Sequence, residues 1–312
     1  MQLVLSFDCN DLLINYSDFY KMDNNRLKWF FLVLLAIIWG SSFILIKKGL
    51  GGLTAYQLGS LRILFTAIFL LLIGFKSLKK IKREHVKPIL ASAFLGTFFP
   101  VYFFAFAETE IDSAIASILN SFTPINTLIF GYFFFKMLFN KRQLFGITLG
   151  FLGTLLLIIS GAALNPSQNY LFSAFVVMAS ICYAFNVNII KVYLQNLSAM
   201  SIVTASFVFL IVPALVVLMS SDFFSKEVLY NSLVQESMGY IIVLSIFGTG
   251  IAKVIFNRLV QVSTPIFSSS VTYLIPVVAL IWGVLDGEQL GVMQLIASGI
   301  ILLGVFLVNR KA

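Results

Sequence analysis

Residues 117–126 read SILNSFTPIN, and residues 269–278 read SSVTYLIPVV. Both stretches place small polar residues and a proline inside a long apolar run. Proline removes a backbone hydrogen-bond donor and usually kinks a helix. Pro124 and Pro276 lie 152 residues apart, so the same interruption occurs twice in one chain. This recurrence predicts that the chain consists of two related halves.

The composition is that of a membrane protein. Of the 312 residues, 60% are hydrophobic and 11% are charged, whereas soluble domains carry about 25% charged residues. A spanning helix needs about 20 mostly apolar residues, and ten runs meet this length. We therefore predict an all-α integral membrane protein with ten transmembrane helices, at residues 29–49, 55–75, 88–107, 113–135, 143–163, 171–191, 198–220, 238–257, 265–285 and 291–309.

The second half of the sequence repeats the first at low identity. Aligning 95–136 with 247–288 without gaps gives eight identical pairs, among them Gly96 with Gly248. Because five spans are an odd number, the second copy enters the membrane upside down. The charges of its loops should then be inverted, and the sequence has this inversion. We predict two inverted five-helix repeats, at residues 29–163 and 171–309.

Basic residues predict the orientation of the bundle. Lysine and arginine are enriched in cytoplasmic loops, and they flank alternate links as well as both ends of the chain. We predict a multi-pass protein of the plasma or inner membrane with both termini in the cytoplasm. The net charge of +8 is explained by these loops, so no nucleic-acid partner is expected. Residues 1–28 are predicted to be a cytoplasmic extension, with Met22 as an alternative start that would make 1–21 a misassigned addition.

Small and polar residues share one face of each proline-containing span. The spacings of three and four residues place them on one side of a helix. Close helix packing through small residues is one interpretation, and a cavity wall with carbonyls freed by proline is the other. The size of Asn120 favours the cavity. The two faces are Ser113, Ser117, Asn120, Pro124, Thr127 and Gly131, and Pro265, Ser269, Thr272, Pro276, Ala279 and Gly283.

These patterns resemble the EamA-type drug/metabolite transporters. The sequence WGSSF at 39–43, the stretch SLRILFTAIFL with Arg62, and both proline spans are similar to that family. The resemblance implies two stacked five-helix halves around a central cavity, alternating access and outward movement of small metabolites. Two departures stand out: Lys136 takes the place of an acidic residue, and the second copy of WGSSF reads YAFNV.

The candidate solute-binding residues follow from these two sources. Intramembrane polar groups are costly and mark functional sites. Arg62 is predicted to position the site or to snorkel outward, and Pro124 and Pro276 to be structural. Lys253 is interpreted as snorkelling, with an anionic solute as the alternative partner. The predicted solute-binding residues are Trp39, Ser42, Asn120, Thr123, Tyr183, Asn186, Thr272 and Tyr273.

We predict a secondary transporter, in the exporting direction, for small polar or amphipathic metabolites such as amino acids. A transporter of anionic metabolites, of the sugar-phosphate or nucleotide-sugar type, is an alternative, and so is a non-transporting scaffold or sensor. An enzyme is not expected, because the single histidine, His85, has no nucleophile partner. No metal or cofactor is expected, since Cys9 and Cys182 are far apart. The predicted partners are a small-molecule solute and the lipid bilayer, with a possible homodimer through Gly146, Gly150 and Gly153.

Overall fold

The fold is described by a computed structural model of residues 24–111, 113–159, 169–285 and 291–309. Every regular element in these residues is a helix, and they contain no strand. The predicted all-α class is confirmed for this part of the chain. Residues 1–21 and the acidic positions Asp112, Asp286 and Glu288 lie outside the described residues.

Six helical stretches among the described residues are long and apolar enough to cross a membrane. Three more apolar helices are shorter: Thr123–Phe135, Pro265–Val278 and Leu295–Val308. The total of ten spans stays a prediction. The six long stretches are Asn25–Gly49, Ala55–Lys80, Arg83–Glu110, Ser173–Tyr193, Ala199–Met219 and Ser232–Val262.

Shorter helical elements build these stretches, because turns and changes of helix type interrupt them. A 3₁₀-helix at Phe75–Lys80 extends α3, and a π-helix at Phe94–Phe98 joins α4 to α5. The elements of the first half, up to residue 159, are α1 (Asn24–Gly40), α2 (Ser42–Gly49), α3 (Ala55–Gly74), α4 (Arg83–Ala93), α5 (Phe99–Glu110), α6 (Ser113–Asn120), α7 (Thr123–Phe135) and α8 (Lys141–Ile159).

The second half, from residue 169, has the same kind of construction. A π-helix at Leu244–Ile251 joins α12 to α13, and a short 3₁₀-helix at Tyr170–Phe172 precedes α9. The elements are α9 (Ser173–Tyr193), α10 (Ala199–Met219), α11 (Lys226–Leu229), α12 (Ser232–Val243), α13 (Ala252–Val262), α14 (Pro265–Ser269), α15 (Val271–Leu285) and α16 (Val292–Asn309).

Three of the predicted continuous spans are divided by a turn. Ser41 separates α1 from α2, residues 121–122 separate α6 from α7, and Ser270 separates α14 from α15. Pro124 lies in the first turn of α7, where a helix has no use for an N–H group. Beside each turn a hydroxyl donates to a main-chain carbonyl: Ser42 to Ile38, Thr123 to Asn120 and Thr272 to Ser269.

The two prolines do not occupy equivalent positions. Pro276 lies inside α15, so it cannot donate to the carbonyl of Thr272, four residues earlier. Instead, the hydroxyl of Ser121 donates to that carbonyl at 3.2 Å. Because Ser121 belongs to the turn between α6 and α7, the interrupted helix of one half satisfies the proline site of the other.

The two π-helices occupy matching places in the two halves. Gly96 lies in the first π-helix and Gly248 in the second. The indole Nε1 of Trp39 donates to the carbonyl of Gly248 at 3.0 Å, and Nζ of Lys253 donates to the carbonyl of Gly96. Short π-helical turns interrupt the regular hydrogen-bond ladder and are frequent at functional sites. Here each one presents a carbonyl to a long side chain of a different helix.

The helices of the first half pack mainly against those of the second. The principal pairs are α8 with α16, α3 with α10, α7 with α9, and α1 with α15. The α8–α16 pair is the most extensive, because glycines let the two backbones meet. A Cβ added at Gly304 would lie 2.6 Å from the nitrogen of Gly150 and 2.8 Å from the carbonyl oxygen of Gly146. These glycines of α8 are therefore used inside the chain, and the predicted homodimer would need another face.

Two lysines close the ends of neighbouring helices. Nζ of Lys47 donates to the carbonyl of Glu108 at 3.3 Å, near the end of α5. Nζ of Lys191 donates to three carbonyls near the end of α13, the shortest bond being 2.6 Å to Ser263. The last carbonyls of a helix lack partners within it, and positive charge there is favourable. Both lysines therefore satisfy helix ends and join α2 to α5 and α9 to α13.

Candidate functional site

A central cavity lies where the turns and the second π-helix meet. It encloses about 810 Å³ of space, including its open mouth. Both halves of the chain form its wall, with aromatic and aliphatic side chains and a few polar groups, as solute-binding pockets usually have. The lining residues are Trp39, Ser42, Phe43, Ile46, Arg62, Val101, Phe104, Asn120, Thr123, Tyr183, Asn186, Val187, Gly248, Lys253, Phe256, Ser269, Val271, Thr272 and Ile275.

Seven of the eight predicted solute-binding residues line this cavity. The hydroxyl of Thr123 donates to the carbonyl of Asn120 at 2.7 Å, which partly replaces the N–H bond lost at Pro124. The ring of Tyr183 stacks on Phe104 at 6.2 Å between ring centres. The seven residues are Trp39, Ser42, Asn120, Thr123, Tyr183, Asn186 and Thr272.

Tyr273 does not line the cavity. Its side chain is fully buried, and its hydroxyl donates to the carbonyl of Ile147 in α8 at 3.0 Å. A Cβ added at Gly150 would lie 2.8 Å from the Tyr273 ring. The predicted solute contact is thus replaced by a contact that attaches α15 to α8.

The substitution Tyr273→Phe is expected to lower the free energy of unfolding by about 1 kcal/mol, because it removes one buried hydrogen bond. Transport per folded molecule should stay within about twofold of wild type, because the lost hydrogen bond lies outside the cavity lining. Thermal unfolding in detergent and flux in liposomes measure the two effects. A strong loss of flux without a loss of stability would return Tyr273 to the solute site.

Arg62 faces the cavity rather than the outer surface. Its Nε donates to the hydroxyl of Thr249 at 2.7 Å. This bond links α3 to the second π-helix and fixes the direction of the guanidinium group. Arg62 therefore lies at the cavity, and its predicted positioning role stays a prediction.

Lys253, for which the sequence leaves snorkelling and an anionic solute partner as alternatives, lies at the cavity. Its ammonium group lies in the cavity wall, bonded to the carbonyl of Gly96 and 5.8 Å from the centre of the Tyr183 ring. Snorkelling to an interface would require the side chain to point along the helix. The π-helix before α13 changes the face on which Lys253 lies, and no signal in the sequence indicates a π-helix.

The glycines of the two π-helices, Gly96 and Gly248, leave space for a side chain of the opposite half. The two side chains occupy equivalent positions in the repeat. A Cβ at Gly96 would lie 2.5 Å from Cγ of Asn186, and a Cβ at Gly248 would lie 2.7 Å from Oγ of Ser42. Ser42 and Asn186 are 144 residues apart, the offset that relates α1 and α2 to α9 in the sequence. In the sequence, only the identity of Gly96 and Gly248 in the two aligned halves points to these contacts.

A smaller pocket lies on the other side of Asn186 and Lys253. It encloses about 220 Å³, and both residues also line the central cavity. Oγ of Ser92 donates to Oδ1 of Asn186 at 2.6 Å, and Oδ1 of Asn257 is buried without a hydrogen-bond partner. The remaining lining residues are Thr97, Ile202, Val203, Ser206 and Phe207. A single layer of side chains therefore separates the two pockets.

Nothing in the described part of the chain offers a metal site of three or more His, Cys, Asp or Glu side chains. The polar groups of the cavity are amides, hydroxyls and two cations, which suit a small organic solute.

Comparison with known proteins identifies the family. Residues 27–159 and 171–310 both match the EamA-like transporter family. The chain belongs to this family. Its match to the family occurs twice, and together the two matches cover nearly the whole sequence. The chain is thus a membrane transporter of the EamA type.

Named relatives of this EamA-like transporter are similar along nearly their whole length. An Escherichia coli K12 protein described as an uncharacterized inner membrane transporter, YedA, is 28% identical, covering 89% of each chain. An uncharacterized transporter of Archaeoglobus fulgidus is 26% identical over 91% of this chain and 99% of its own. A Salmonella typhimurium LT2 protein described as a "probable amino-acid metabolite efflux pump" is 27% identical over 91% of this chain and 95% of its own.

The fold of this EamA-like transporter also matches a solved crystal structure. The two superpose with a TM-score of 0.69, covering 90% of this chain and 95% of the other at 15% sequence identity. At this identity the match concerns the arrangement of the helices alone.

Proposed function

We propose that this transporter moves small polar or amphipathic metabolites, such as amino acids, out of the cell by alternating access. In this proposal the moving parts are two inverted five-helix repeats, at residues 29–163 and 171–309, in a multi-pass protein of the plasma or inner membrane. The observation that carries the proposal is one cavity lined by both halves at matching positions. Trp39 with Tyr183 and Ser42 with Asn186 are such pairs, each 144 residues apart.

The packing of the helices supports the repeat. The contact of α7 with α9 has a counterpart in that of α15 with α1, and the contact of α5 with α9 has one in that of α13 with α1. A two-fold axis that exchanges the halves accounts for both pairs. In transporters with inverted repeats, the solute site lies near the midplane at the repeat interface, and one repeat rocks against the other.

The side chains between the two pockets close the central cavity on the side of the smaller pocket. The bonds from Ser92 to Asn186 and from Lys253 to Gly96 lie between the central cavity and the smaller pocket. By the predicted orientation, the smaller pocket faces the cytoplasm. Opening the central cavity towards the cytoplasm requires these two hydrogen bonds to break. Each contributes only a modest net free energy, so the change is reversible.

The relative from Salmonella supports amino acids as solutes, because its printed description concerns amino-acid metabolites. The cavity is compatible with a solute of that size, and its wall offers aromatic faces as well as amide groups.

Counterflow in liposomes tests the proposal. Purified protein is reconstituted into vesicles loaded with a mixed pool of amino acids, organic acids, nucleosides and organic cations. Mass spectrometry then identifies the compounds that exchange. Exchange of a chemical class only in vesicles that contain the protein supports a transporter with that solute range. No exchange across all of these classes by folded protein would contradict the proposal and favour a scaffold or sensor.

The substitution Tyr183→Ala is expected to lower exchange about tenfold or more, because it removes a large aromatic face from the cavity wall. Tyr132→Ala is the matched control, since Tyr132 is exposed on the outside of α7 and should leave exchange within about twofold. Asn120→Ala should also reduce exchange. If either cavity variant loses folded protein and exchange in equal measure, that residue serves packing rather than solute binding.

A further inference from the structure

The cavity wall carries two cations and no carboxylate among its described residues. Arg62 and Lys253 both line it. Neither has a carboxylate oxygen within 4.0 Å in the described part of the chain. A charge held inside a membrane protein is normally paired or faces an aqueous path. Two cations in one cavity wall, with no carboxylate oxygen beside either, therefore indicate that the occupant supplies the counter-charge.

The buried carboxylate of the described chain does not serve this purpose. Glu108 is 1% exposed and lies at the end of α5, outside the cavity lining. One of its oxygens accepts a hydrogen bond from Ser113 at 2.6 Å. Among the described residues it forms an ion pair with neither cation.

The hydrogen-bond inventory of the cavity is also one-sided. The serine and threonine hydroxyls of the wall donate to main-chain carbonyls three or four residues earlier in the chain, so their protons are already used. Those hydroxyls belong to Ser42, Thr123, Ser269 and Thr272.

The nitrogen donors of the wall, by contrast, are available. The terminal guanidinium nitrogens of Arg62 have no hydrogen-bond partner among the described residues. The same holds for the Nδ2 groups of Asn120 and Asn186, whose Oδ1 atoms accept from neighbouring hydroxyls. The ammonium of Lys253 makes one bond, to Gly96, and retains further protons. The cavity thus presents free nitrogen donors, while the side-chain acceptors among its described residues are all uncharged: hydroxyl oxygens, amide oxygens and ring faces.

We propose that the solute carries an oxyanion head group, a carboxylate or a phosphate, without a compensating ammonium group, held between Arg62 and Lys253. The free amides of Asn120 and Asn186 complete the donor set around the anion. The uncharged body of the solute lies against the apolar side of the cavity. There the ring centres of Trp39 and Phe256 are 5.2 Å apart in a tilted arrangement. This inference rests on the proposed transport function. Within the small amphipathic metabolites of that proposal it favours organic anions over amino acids.

A zwitterionic amino acid is a poorer occupant for two reasons. Its ammonium group requires an acceptor or a free aromatic face, and the ring of Tyr183 already faces Lys253 at 5.8 Å. Like charges in a site of low dielectric repel strongly, so the ammonium would also be disfavoured by both cations.

Four probes with one aromatic body separate these chemistries. They are 3-phenylpropionate, phenyl phosphate, phenylalanine and 2-phenylethylamine, which differ in the charge of the head group. Liposomes loaded with each probe are assayed for exchange, and the same probes are tested for raising the unfolding temperature of the detergent-solubilised protein. We expect one or both anions to exchange about tenfold or more faster than phenylalanine, as charge-assisted hydrogen bonds imply. The stronger of the two anions then identifies the head group.

The substitution Lys253→Met tests the site directly. It should reduce exchange of the preferred anion about tenfold more than it reduces exchange of phenylalanine, because the loss of the Gly96 bond affects every solute alike while the loss of the charge affects only the anion. Lys253→Arg, which keeps the charge, should restore the preference for anions. Lys48→Met is the matched control, because it removes one positive charge from an exposed lysine near Tyr240 and should leave the anion preference unchanged.

The outcomes separate this inference from the transport proposal. Exchange of phenylalanine as fast as that of both anions, or an equal effect of Lys253→Met on all probes, overturns the anion site and leaves the transporter standing. Stabilisation by an anion without any flux supports the anion site and counts against transport. Neither flux nor stabilisation with any probe contradicts both.

Discussion

The substitution Gly304→Val is expected to remove most of the folded transporter from the membrane. The added Cβ would meet backbone atoms of α8, at 2.6 Å from the nitrogen of Gly150 and 2.8 Å from the carbonyl oxygen of Gly146. Backbone atoms cannot turn aside as a side chain can, so α8 and α16 must separate. Overpacking destabilises proteins by about 1–3 kcal/mol and occasionally by more, which is a large fraction of the stability of a typical domain.

The control lies on the same helix. A Cβ added at Gly299 of α16 would have no atom within 4 Å, so Gly299→Val should leave the yield and unfolding temperature close to wild type. Both variants are measured as fluorescent fusions by size-exclusion chromatography after a heat step. Equal behaviour of Gly304→Val and Gly299→Val would show that the α8–α16 contact is looser than described.

The substitution Gly96→Ala is expected to lower transport about tenfold or more with a smaller loss of folded protein. The new Cβ would lie 2.5 Å from Cγ of Asn186, so the amide must leave its bond with Ser92. Because the obstacle is the end of a side chain, the helices can keep their packing. The layer between the two pockets, however, loses the geometry of its Asn186 and Lys253 bonds.

A double-mutant cycle tests this explanation. If the clash with Asn186 causes the loss, Gly96→Ala should add little to the effect of Asn186→Ala, and the two changes will be strongly non-additive. Additive losses would instead assign the effect of Gly96→Ala to the π-helix itself. Gly239→Ala serves as the control for glycine replacement, since a Cβ there would have no atom within 4 Å. Flux is normalised to folded protein in each case.

Much of the cavity could be predicted because its residues recur with helical spacing. Trp39 and Ser42 lie three residues apart, as do Asn120 and Thr123, and such pairs share a helical face. The same rule argues against the predicted place of Tyr273 in the cavity. It follows Thr272 directly, and neighbouring residues of a helix point in different directions, so a helical Thr272 in the cavity places Tyr273 elsewhere.

Lys253 and the local breaks could not be predicted in this way. A lysine in a spanning helix has a long, flexible stem, and only the packing around it decides whether it reaches an interface or a cavity. The π-helix at Leu244–Ile251 changes the register of α13, and no periodicity announces it. The glycine spacing in α8 likewise predicts a close contact but does not name the partner, which is α16 in the same chain.

The pairing of helices across the two halves also has a consequence for synthesis. Because α1, α3, α7 and α8 pack mainly against helices of the second half, they leave the ribosome before their partners exist. The first half therefore enters the membrane as an unassembled set of helices, and assembly is completed only when α16 arrives. A chain cut between the halves should then regain its structure when both fragments are made together. The role of the covalent connection would then be to ensure that the two halves are made in equal numbers.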